Sequence, residues 1–116
     1  MRMLERRLER RLLCADLIRI EWTDGRGRQH EAAAVLEDIA RSGASLQTDI
    51  RVPVAADIKL HHGPKTLSGK VRYCAFREIG YFIGVNFDRH QKWSVRFFRP
   101  KHLTDPGVLQ VPGATR

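Results

Sequence analysis

Apolar and polar residues alternate along much of this chain. Ile18, Ile20 and Trp22 alternate with Arg19 and Glu21, and this period of two ends at Asp24-Gly25, a turn signal. The stretch HEAAAVLED, residues 30–38, has the apolar density of a helix but not its length before Gly43, and reads as a strand flanked by others. ASLQTD, AADIKLHH, LSGKVRYCAF and YFIGVNF follow, separated by breaks at Val52-Pro53, Gly63-Pro64 and Glu78-Ile79-Gly80. Ile58 and Leu60 alternate with Asp57, Lys59 and His61, while Tyr81, Ile83, Val85 and Phe87 alternate with Phe82, Gly84 and Asn86. Such strands bury one face and leave the other to water.

Five or six short strands with tight connections and no repeated crossover helix predict an all-β fold, either a barrel or a sandwich. Closure removes the exposed edges, so a barrel is the better reading. Gly69 and Gly84 suit strands that bend and pack closely. After Phe87, DRHQKWSVRFFRP offers Asp88 as an N-cap and ends before Pro100, with Trp93 and Phe97 four apart. This predicts a C-terminal helix over 88–100 lidding the barrel. Residues 106–116, rich in Pro and Gly, read as a loose tail beyond a single domain over 1–105.

Charge narrows the partners. The 116 residues carry 21 Lys and Arg against 13 Asp and Glu, a net charge of +8, which favours anions such as phosphates, nucleic acid or acidic surfaces. Cys14 and Cys74 are far apart and lack a CxxC partner, so a zinc site is not expected. No run of 18 apolar residues is present, and the arginine-rich start has no apolar leader, so no membrane span and a cytoplasmic location are expected. Adjacent His61 and His62 point to opposite faces of a strand, and His30, His90 and His102 are isolated, so neither metal nor enzyme chemistry is expected.

The basic residues concentrate in ERRLERRLL, residues 5–13. As a helix, this segment would align Leu4, Leu8 and Leu12 but set Arg6 against Arg10 and Arg7 against Arg11 as like-charge pairs. As an extended arm it would present planar guanidinium groups to phosphates and guanine edges. It could equally be a solvated charged segment. Farther on, EDIARSGASLQ, residues 37–47, sets Asp38, Ala40 and Gly43 at Asp-x-Ala-x-x-Gly spacing in a turn between strands. There Asp38 can accept N–H groups and Gly43 can take a positive φ.

These two segments in order, followed by GKVRY and GYFIGVNF, closely resemble the PilZ domain family over residues 5–103. The resemblance implies a six-stranded antiparallel split barrel whose N-terminal RxxxR and later [D/N]xSxxG loop bind cyclic diguanylate (cyclic di-GMP). Arg7 and Arg11 match the paired arginines, with Arg6 as the extra preceding arginine and Arg6/Arg10 as an alternative register. Asp38 matches the acidic loop position and Gly43 its glycine, while Ala40 stands where the family usually has serine. One missing hydroxyl costs about 0.5–1.5 kcal/mol, so weakened rather than abolished binding is expected.

The expectation is a small cytoplasmic cyclic di-GMP receptor without a cofactor, whose flexible arm over residues 1–13 orders on binding and is read by a downstream protein. Two alternatives stand beside it. One is a PilZ-like interaction adaptor that binds no ligand. The other is a small barrel that binds single-stranded nucleic acid, using Trp22, Tyr73, Tyr81 and Phe82 as stacking platforms. The second is disfavoured because most of these aromatics alternate toward the expected core.

Overall fold

The computed structural model describes residues 9–105, so the tail over 106–116 and the first eight residues of the arm lie outside the described residues. Six strands follow one another: β1 Leu12–Thr23, β2 Gln29–Ala40, β3 Gly43–Thr48, β4 Asp57–His62, β5 Lys65–Arg77 and β6 Gly80–Phe87. They close an antiparallel barrel in the order β1-β2-β3-β6-β5-β4, and β1 completes the circle by pairing Ile20 with Leu60 and Trp22 with Ile58. Among the described residues no helix is long and apolar enough to cross a membrane.

Alternation explains the barrel's inside. Each strand sends at least one aliphatic side chain fully inward: Ile20, Leu36, Leu46, Ile58, Leu67 and Ile83 from β1 to β6 in turn. Full burial of such a side chain stabilises by about 1.5–3 kcal/mol relative to exposure, so six converging aliphatics account for much of the closure. Val71, Val85 and Phe87 extend this core, and Val52 joins it from the loop between β3 and β4.

β1 begins at Leu12, six residues before the first clear alternation at Ile18. Leu12 and Leu13 of the expected arm are therefore strand, paired with Ile39 and Asp38, and the described end of the arm is not helical.

The helix expected over 88–100 does not form; this stretch is a series of turns. Its backbone donors bond elsewhere. Asp88 N–H donates to the Ser68 carbonyl at 2.9 Å and Trp93 N–H to the Arg41 carbonyl at 2.9 Å, leaving isolated turns at Asp88–Gln91 and Ser94–Phe97. A helix would turn the Trp93 N–H to the Arg89 carbonyl and forfeit its bond to Arg41. The expected apolar contact survives without it: Trp93 is buried in the core cluster, and Phe97 and Phe98 pack against that cluster. Lys101 N–H then donates 2.7 Å to the buried Asp16 carboxylate, and Leu13 and Thr104 bond reciprocally, fastening the segment to the start of β1.

Candidate functional site

One cross-strand row organises the outer wall. Leu13 of β1 is level with Asp38 of β2, Asp38 with Ser45 of β3, Ser45 with Gly84 of β6, and Gly84 with Tyr73 of β5. Simple alternation would not produce this row. Leu36 points into the core, so an unbroken β2 would send Asp38 inward as well. A bulge at Glu37 adds one residue between the Leu36–Leu46 and Asp38–Ser45 pairs and turns Asp38 outward. A second bulge at Arg72 lies between Val71, level with Val85, and Tyr73, level with Gly84. Val71 is buried, whereas Arg72 and Tyr73 are both exposed. A third irregularity lies between Leu13 and Asp16 in β1.

The bulges frame a cleft of about 480 Å³, lined by Glu9, Arg11, Asp38, Ser42 to Ser45, Arg72, Tyr73 and Gly84 to Asn86. Arg11, just before β1, donates from Nη2 to Asp38 Oδ1 at 2.6 Å and to Ser45 Oγ at 3.0 Å. Glu9 accepts from Ser42 Oγ at 2.7 Å through Oε1 and at 2.9 Å through Oε2, and its Oε1 lies 3.3 Å from the Ser42 backbone N–H. Arg72 makes no ion pair among the described residues. Two cations and two carboxylates thus share the cleft.

Glycine supplies the space. A Cβ on Gly43 would lie 2.5 Å from the Val85 carbonyl oxygen, so only glycine allows the start of β3 to approach β6 this closely. Its role is this close approach; among the described residues the left-handed glycines are Gly27, Gly63 and Gly80. At Gly84 the atoms nearest an added Cβ belong to the Tyr73 ring, which lies over β6 and forms one wall of the cleft. Tyr73 therefore lies outside the core, toward which most of the four aromatics were expected to alternate.

The cleft unites Arg11, Asp38 and Gly43. It does not include Ala40, whose side chain is fully buried although it shares the direction of Asp38, two residues before it in a regular stretch of β2. Ser42 lines the cleft instead, from the turn between β2 and β3, where strand alternation no longer governs side-chain direction. Arg10, the alternative partner of Arg6, pairs with Asp105 at 2.7 Å away from the cleft. Arg6 and Arg7 lie outside the described residues. Sequence reasoning missed Glu9, Ser45 and Arg72 as cleft residues. Arg72 sits in the GKVRY segment, but its direction depends on the bulge.

Acidic residues also gather around Cys14. Burial, then the Asp16, Asp38 and Glu37 carboxylates, pushes the Cys14 thiol up to about 12. Cys14 packs against the core, where its neutral thiol is the favoured form. Burial and then Asp38 raise the Glu37 carboxyl above its ordinary value. Three of the five histidines are engaged separately: His61 with Glu21 and Thr66, His62 with Asp16 while stacked on Phe98, and His30 with Asp24 while stacked on Trp22.

No family model matches this chain, and no curated protein matches it.

Proposed function

We propose that this barrel is a receptor for cyclic diguanylate, which binds on its outer wall in the cleft bounded by Arg11, Asp38 and Tyr73. The observation that carries this reading is the meeting of Arg11 and Asp38, from the two sequence segments that resemble the PilZ ligand motifs, at 2.6 Å in one cleft. The ligand has two phosphodiesters and two guanines. Arg11 and Arg72 suit the phosphates and the O6/N7 edges, and Asp38 can accept guanine N–H groups. The exposed side of Tyr73 offers a plane for a base.

Arg11 is available for this exchange. Its side chain is 48% exposed, and an ion pair at such a position contributes under about 1 kcal/mol, so it can be traded for a phosphate at little cost. Binding would draw the segment carrying Arg6 and Arg7 toward the cleft, and that rearrangement is the signal a protein partner would read.

Calorimetric titration with cyclic diguanylate, beside a single-stranded oligonucleotide, tests the reading. Micromolar or tighter binding of the dinucleotide, with weak and strongly salt-dependent oligonucleotide binding, is expected. No heat at millimolar dinucleotide would leave the adaptor without a ligand. Oligonucleotide binding that persists at high salt would favour the nucleic-acid barrel.

A further inference from the structure

Glu9 presents a different relationship from Arg11: it is an acidic side chain bound inside a cleft whose chemistry suits anions. Ser42 directs both its hydroxyl and its backbone N–H at the Glu9 carboxylate. A carboxylate and a phosphodiester each spread one negative charge over two terminal oxygens, so donors that hold one suit the other. Glu9 also stands two residues before Arg11, close enough in the chain to compete with any anion that Arg11 attracts.

We propose that Glu9 is an internal competitor that occupies the Ser42 donors until a ligand phosphate displaces it. The proposal rests on the cyclic diguanylate reading of the same cleft. Displacement needs little rearrangement: Glu9 precedes β1, which starts at Leu12, so its side chain can leave without breaking a strand pair. While it is bound, the open form is only a fraction of the molecules, and the apparent affinity falls by that fraction. Its charge adds to the effect, because with Asp38 it balances Arg11 and Arg72. Release of Glu9 leaves Ser42 with free donors and the cleft with an excess of positive charge nearest the ligand.

The test is calorimetric titration of cyclic diguanylate into the parent, Glu9→Ala, Glu9→Gln and Glu31→Gln, at fixed salt, after thermal unfolding has established that each variant folds. Glu31 is an exposed carboxylate lying 3.6 Å from Arg19, and its replacement makes the same change in net charge away from the cleft. Glu9→Ala is expected to tighten binding by about fivefold or more, with Glu9→Gln between it and the parent and Glu31→Gln within about twofold of the parent. Binding by Glu9→Ala alone, with none by the parent, would also support the competitor. If the parent binds and Glu9→Ala gains no more than Glu31→Gln, the competitor is overturned and the receptor reading stands. Weaker binding by Glu9→Ala would make Glu9 a ligand contact and would overturn the competitor likewise. If no protein binds, the receptor reading fails and takes the competitor with it.

Discussion

The Arg11 guanidinium meets the Asp38 carboxylate at 2.6 Å across 27 residues of chain, because the row from β1 to β2 sets Leu13 level with Asp38. Ser45, the next residue in that row, accepts a second bond from the same guanidinium nitrogen at 3.0 Å. Arg11 is thus held at the mouth of the cleft by two strands. Arg10, its neighbour, is turned to Asp105 instead.

This difference separates the two arginine registers. Arg11→Ala is expected to remove charge-assisted contacts worth about 1.5–3 kcal/mol, weakening cyclic diguanylate binding roughly tenfold to more than a hundredfold. The melting temperature should change little, since Arg11 lies outside the core. Arg10→Ala should alter affinity only through net charge, by much less. Titration of both variants at one salt concentration checks this, and equal losses would disprove the assignment of Arg11 over Arg10.

Ala40 gives the opposite expectation from the one its place in the loop motif suggests. Because its side chain is fully buried and does not line the cleft, Ala40→Ser would bury a hydroxyl instead of adding a donor to the cleft. A loss of stability of about 1–3 kcal/mol is expected, with ligand affinity essentially unchanged. Chemical denaturation and titration measure the two effects. Tighter binding at undiminished stability would show that this side chain reaches the cleft after all.

The strands were legible because one face of each is buried, so Ile20, Leu36, Leu46, Ile58 and Ile83 had to recur with a period of two. The cleft was legible only in part. Bulges at Glu37 and Arg72 change which residues face out, and no residue type announces them: without them Asp38 and Tyr73 would fall on the inner face. The segment over 88–100 misled for a related reason. Its spacing of Trp93 and Phe97 suits a helix, but the bond from Trp93 N–H to Arg41 competes with it, and that partner is distant in sequence.

Acid stability should bear the mark of the first hairpin. Asp24 Oδ1 accepts from the Arg26 and Arg28 backbone N–H groups at 2.8 and 3.0 Å, and its Oδ2 lies 2.8 Å from His30 Nε2. The bond to His30, followed by the backbone bond to Arg28, holds the Asp24 carboxyl at about 2, against an ordinary 3.8. A depressed carboxyl contributes stability above its unfolded value and loses it as pH falls toward the folded value. Asp24→Asn keeps an oxygen for the turn but cannot titrate. The parent should therefore lose more of its melting temperature than Asp24→Asn between pH 4 and pH 2, and parallel curves would rule this coupling out.

Gly43 and Gly84 should respond differently to the same methyl group. At Gly43 the group would meet the Val85 carbonyl oxygen at 2.5 Å, which is β6 backbone, so relief requires the strands to separate. Gly43→Ala should cost about 1–3 kcal/mol or more, whatever else is mutated nearby. At Gly84 the obstacle is the Tyr73 ring, which can swing away because Tyr73 is 44% exposed. Gly84→Ala should therefore destabilise less and reshape the cleft wall more. A double-mutant cycle isolates the cause. In a Tyr73→Ala background Gly84→Ala should become nearly neutral for stability, while Gly43→Ala keeps its full effect. If Gly84→Ala stays as harmful without the ring as with it, backbone crowding rather than Tyr73 sets the need for glycine there.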